Sequence, residues 1–136
     1  MQTEPITGRC LCGACAYALD GPHAPGGICH CADCRRVTGS AFGVSFRADR
    51  ARLTRYGVTH SFTKRADSDT LLTRHFCPQC GSPFYTESEA QADAVFIKAG
   101  TLDDPQALTI DRQMWTVSKV SWASAPDGIS TFAQGR

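Results

Sequence analysis

The chain's capacity for chemistry lies in eight cysteines among 136 residues. Cys77-Pro78-Gln79-Cys80-Gly81 is the most specific signal. A C-x2-C turn brings two thiolates onto one ion. Pro fixes φ at the start of the turn, Gly permits the positive φ that follows it, and backbone N–H groups in the turn can donate to the sulfurs. Structural zinc takes four ligands. The simplest partner pair is Cys10 and Cys12, because residues i and i+2 of a strand share a face, and Gly13 follows Cys12 as Gly81 follows Cys80. The spacing therefore predicts a closed site of Cys10, Cys12, Cys77 and Cys80, stapling distant parts of the chain.

Four cysteines remain. Cys29-His30-Cys31-Ala32-Asp33-Cys34 repeats the C-x-C-x2-C spacing of Cys10, Cys12 and Cys15. It can place three thiolates on one ion. Cys15 then either closes a second four-thiolate site or packs as a small buried hydrophobe. The choice decides function: three protein ligands leave an open position, the mark of a catalytic zinc, and four make a structural site.

Composition sets the frame. Eight in 136 is about 6% Cys, below the ~8–10% of a disulfide scaffold. The formal net charge is +1, which leaves no general electrostatic case for nucleic acid. No stretch approaches the ~20 apolar residues of a membrane span. The first eight residues are polar, with no apolar signal core, so a cytoplasmic setting with reduced thiols is expected.

The elements that must position these thiols read as mostly β. Short β-branched and aromatic runs at 14–19, 41–46, 59–63, 71–76, 83–86, 94–99 and 114–120 predict strands, separated by Gly/Pro turns that include Pro25-Gly26-Gly27. A helical turn is expected at 32–38, after the second cysteine group. The fold class is all-β with at most short helical turns. One domain spans 1–136, with a core at about 7–126 and a small polar tail, 127–136, that wraps or frays.

In order, Gly8-Arg9-Cys10-Leu11-Cys12-Gly13-Ala14, Cys29-His30-Cys31-Ala32-Asp33-Cys34-Arg35-Arg36, Gly39-Ser40, Cys77-Pro78-Gln79-Cys80-Gly81-Ser82-Pro83 and Gly100-Thr101-Leu102-Asp103-Asp104-Pro105 resemble the glutathione-dependent formaldehyde-activating enzyme (GFA) and centromere protein V family. The resemblance implies a β-tent fold of several short coiled antiparallel sheets and two zinc ions per chain. Cys10, Cys12, Cys77 and Cys80 would hold the structural zinc. Cys29, Cys31 and Cys34 would hold the second zinc at the thiol-binding site, with Cys15 an ordinary strand residue. It also implies carbon–sulfur lyase chemistry, joining glutathione to formaldehyde or the reverse. The family often carries a His before an aromatic near the C-terminal end; here the stretch is Arg112-Gln113-Met114-Trp115.

A zinc with three thiolates is electron-rich and suits a soft thiolate better than an activated water. The partners expected are thus a small thiol such as glutathione and a small electrophile, without nucleic acid or membrane. Arg35 and Arg36 are the nearest candidates for the carboxylates of glutathione, and Ser40, with Thr38, for a hydrogen bond beside the open position. His30, between two ligands, points away from the metal as a supporting donor or base. A zinc-stapled binding module without turnover and a thiol redox sensor are the competing readings.

Overall fold

The computed structural model describes residues 5–135. Among them are eleven strands and one α-helix. In chain order these are β1 Ile6–Arg9, β2 Ala16–Leu19, β3 Gly26–Cys29, α1 Ala32–Thr38, β4 Gly43–Asp49, β5 Leu53–Tyr56, β6 His60–Arg65, β7 Leu71–Phe76, β8 Pro83–Ser88, β9 Ala94–Lys98, β10 Ile110–Met114 and β11 Ser130–Thr131. The strands form two open sheets. The small one has the order β1-β2-β5, the large one β11-β10-β3-β4-β9-β8-β7-β6. Pairing is antiparallel except around β10, which runs parallel to both β3 and β11. No helix among the described residues is long and apolar enough to cross a membrane.

Period-2 alternation assigns the two faces of the large sheet. Phe46 and Ile97 are register partners and are fully buried, as are Ala48 and Val95. They meet Tyr17 and Leu19 of β2, with Phe84 and Tyr85, in one apolar cluster between the sheets. The opposite face is therefore left to the alternate residues: Gly27 and Cys29 of β3, Gly43, Ser45 and Arg47 of β4, Phe96 and Lys98 of β9. Helix α1 lies on this polar face. It is capped at one end by the Cys31 sulfur, which accepts from the Cys34 N–H, and at the other by Gly39 at φ 66°.

Several strands depart from the expected bounds. The glycines of β3 read as a turn, yet they are strand residues. A Cβ on Gly26 would lie 2.6 Å from Ile110 Cδ1, and one on Gly27 3.1 Å from the Arg112 guanidinium carbon. Glycine is required there by close approach, not by a turn. The strand expected at 114–120 ends at Met114 instead. Trp115 takes φ 58° and opens a 3-10 turn, Thr116–Ser118. The tail is pinned: Thr116 N–H donates to Phe132 O and Val117 N–H to Ala133 O. Trp122 is 71% exposed.

Candidate metal centres

Two groups of thiols converge. Cys10, Cys12, Cys77 and Cys80 form one, Cys29, Cys31 and Cys34 the other; within each, all sulfurs lie within 4.8 Å of one another. Cys15 belongs to neither group.

The four-cysteine group joins two matched turns. Gly13 and Gly81 both have positive φ, 81° and 78°, directly after the second cysteine of each pair. In the first turn Ala14 N–H points to Cys12 Sγ and Cys15 N–H to Cys10 Sγ, at 3.4 and 3.3 Å. In the second, Gln79 N–H points to Cys77 Sγ at 3.4 Å. The first pair does not lie on a strand, as its spacing suggests; β1 ends at Arg9, and Cys10 N–H closes a turn onto Cys15 O at 2.9 Å. Cys10–Cys12 and Cys12–Cys77 Sγ separations are both 3.7 Å. A tetrahedral ion with bonds of about 2.3 Å to sulfur needs edges of about 3.8 Å, so the donor set fits zinc. The Ser82 hydroxyl donates to Cys80, helped by backbone N–H groups, and pushes that thiol down to about 5. Cys10 and Cys77 are buried at the edge of the apolar core. This centre is therefore continuous with what holds the sheets together.

Cys15 is 1% exposed and donates its S–H to Val58 O at 3.3 Å. Burial first, then the Cys77 sulfur, pushes it up to about 11. It is a satisfied, neutral core residue.

The three-cysteine group sits where β3 hands over to α1. Cys29 closes the strand, Cys31 caps the helix and Cys34 lies in its first turn. All three are partly exposed. In the metal-free set, hydrogen bonds from Cys29 and Cys34 push Cys31 down to about 2. Cys29 is correspondingly pushed up, by Cys31, Cys34 and burial. For Cys34 a hydrogen bond with Cys29 lowers the value, but the Cys31 charge and burial raise it further. Its three soft donors, with no fourth protein ligand among the described residues, fit zinc with a free position. Gly43 lies directly beneath: a Cβ there would stand 3.3 Å from Cys34 Cβ. An ion pair from Lys64 of β6 to Asp33 Oδ1, 2.7 Å, ties the start of the helix across the sheet.

A cavity of about 560 Å³ opens against Cys29 and Cys34. Ser45, Arg47, Phe96, Arg112 and Met114 are among its walls. Arg112 donates to Asp111 and Pro25 O, but its buried Nε has no partner. The lining does not include Arg35, Arg36 or Ser40; Arg35 is half-buried, and Arg36 and Ser40 are exposed. Thr38 spends its hydroxyl on Cys34 O at 2.9 Å. His30 is buried and turned away from the sulfurs, its Nε2 2.8 Å from Gln113 Oε1 and its ring against Phe42. Sequence reasoning missed Arg47 and Arg112. The available signal was parity: Arg47 alternates with the buried Phe46 and Ala48 of β4.

The family model for glutathione-dependent formaldehyde-activating enzyme matches residues 5–118. The chain belongs to this family. No curated protein matches it. Among solved structures it is similar to a crystal structure of a Rhodobacter sphaeroides protein, at 16% identity and a TM-score of 0.56, over 93% of this chain and 99% of that one. That likeness concerns the fold alone. The family match agrees with the two thiol clusters, both of which fit zinc.

Proposed function

We propose that this GFA-family protein is a cytoplasmic carbon–sulfur lyase that joins a glutathione-like thiol to formaldehyde or a similar small aldehyde, and cleaves the adduct in reverse. The observation that carries the reading is the three-thiolate centre of Cys29, Cys31 and Cys34 facing a cavity, with Cys15 committed elsewhere. A zinc ion there supplies one open position that accepts a soft thiolate sulfur and favours loss of its proton. The protein's own part is placement. Cys29 is fixed by the β3–β4 ladder, Cys31 and Cys34 by the helix cap. The cavity walls hold the thiol's backbone and exclude water from the sulfur. Arg112, with its unpartnered Nε, faces a polar group of the ligand. Arg35, Arg36 and Ser40 serve as outer contacts for a thiol long enough to reach past the helix. In the reaction the sulfur attacks the carbonyl carbon and the C–S bond forms. The carbonyl π pair moves to oxygen, which takes up the proton the thiol lost.

Titration calorimetry of the two-zinc protein with glutathione tests this, followed by NMR of the hydroxymethyl adduct after adding formaldehyde. Binding together with faster adduct exchange than in buffer supports the lyase. Binding without faster exchange leaves a thiol-binding module. No binding removes both.

A further inference from the structure

A second cavity, about 330 Å³, adjoins the same sheet face and is lined by Val37 of the helix, Phe62, Phe76, Pro83, Arg74 and Lys98. Its walls are largely apolar; His75, also in the lining, is paired with Glu87, and the other two basic residues are unusual. Arg74 is 8% exposed and Lys98 is half-buried. Among the described residues neither side chain makes a hydrogen bond or an ion pair. The carboxylates nearby are already used: Asp33 holds Lys64, and Glu87 holds Arg50 and His75. Thr86, the direct cross-strand partner of Arg74, is 7% exposed and its Oγ1 also lacks a partner. A mostly buried arginine with no protein acceptor favours an anion that arrives to pair with it. Arg74 and Lys98, two cations without a protein partner that line one largely apolar cavity, are a receptor for a planar anion.

We propose that Arg74 and Lys98, with Thr86 behind them, form a carboxylate-binding subsite beside the three-cysteine centre. Lys98 stands two strands from Cys29 on the same face and two residues along, about 12 Å away at the spacing of a sheet. A carboxylate attached to the thiol by a few bonds reaches it while the sulfur stays at the cysteines. Arg74 supplies the two-point geometry and Lys98 a point charge. The class of ligand is therefore a thiol bearing a carboxylate, not a bare alkyl thiol. This choice of occupant rests on the thiol reading above; the subsite does not.

The test is calorimetry on zinc-loaded parent and Arg74→Met with three probes: glutathione, its diethyl ester, and S-methylglutathione, which keeps the carboxylates and blocks the thiol. Arg74→Met is expected to weaken glutathione at least tenfold and leave the ester unchanged, and Arg74→Lys to recover part of the loss. Equal losses for glutathione and ester, or none, overturn the proposal. If glutathione binds no tighter than S-methylglutathione, yet Arg74→Met weakens both, the thiol reading fails and the subsite stands. If none of the probes binds the parent, the subsite falls as well. Thermal melts separate a structural role. An arginine kept for a ligand predicts that ligand-free Arg74→Met melts at or above the parent; a drop of several degrees makes Arg74 a structural residue and overturns the assignment.

Discussion

The two thiol clusters use the same residue type at related spacings and are built for opposite ends. The four-cysteine centre joins a turn after β1 to a turn after β7, buries two of its sulfurs against the apolar core and presents every thiol to the same point. The three-cysteine centre is local, spanning six residues of sequence, partly exposed, and backed by a cavity. Sequence distance between ligands is what distinguishes a staple from a site. A staple must close a long loop and so contributes to folding. A site gains from being carried on one short strand–helix junction that the rest of the fold holds still.

Removing a ligand from each centre is the sharpest way to break this comparison. Cys77→Ser is expected to leave the chain unfolded. Structural zinc in small domains is worth roughly 10–16 kcal/mol, which matches or exceeds the whole ~5–15 kcal/mol stability of a domain. Circular dichroism and metal content read it out, and a folded Cys77→Ser protein would remove the staple. Cys34→Ser should fold, lose one of two zinc ions and lose glutathione binding by at least a hundredfold. If it unfolds instead, the two centres are not separate in function.

Cys15 sharpens the contrast at smaller scale. Cys15→Ala should cost roughly 1 kcal/mol, typical of a buried truncation, with the zinc count still two. A count of one would mean that Cys15 is a ligand after all. The smallest effect lies at the Glu87 carboxylate. Burial raises the Glu87 carboxyl, but Arg50 and His75 outweigh it and hold it below the ordinary range. A group with a depressed folded value stabilises above its unfolded value, near 4.5, and that contribution is lost as pH falls through the folded one. Glu87→Gln should thus cost about 0.5–1 kcal/mol at neutral pH, as for a partly exposed pair, and nothing once the pH is well below the folded value. Melting curves across pH 3–8 measure this directly.

How much of this was legible beforehand depends on range. The thiol turns were readable because their logic is local: Pro78, Gly13 and Gly81 announce the geometry before any fold is known. The helix at Ala32–Thr38 was likewise visible from its neighbours. β3 was not, because Gly26 and Gly27 are demanded by Arg112 and Ile110 from a strand some eighty residues later. The same holds for the basic residues of the polar face. Arg35 and Arg36 sit beside Cys34 in sequence and so invite attention. Arg74, Lys98 and Arg112 reach the region only through the order of the large sheet, which pairing decides and local pattern does not. The tail, expected to wrap or fray, gains its order from a similar source: parallel pairing with β10.

Gly43 carries a consequence beyond packing. It has no side chain, binds nothing, and lies outside both thiol clusters, yet the height of the helix above the sheet is set by its missing methyl group. A single added carbon would lift Cys34 by a few tenths of an ångström and spread the sulfur triangle. The fit of the triad is thereby set from underneath, at a position that a search for ligands would pass over.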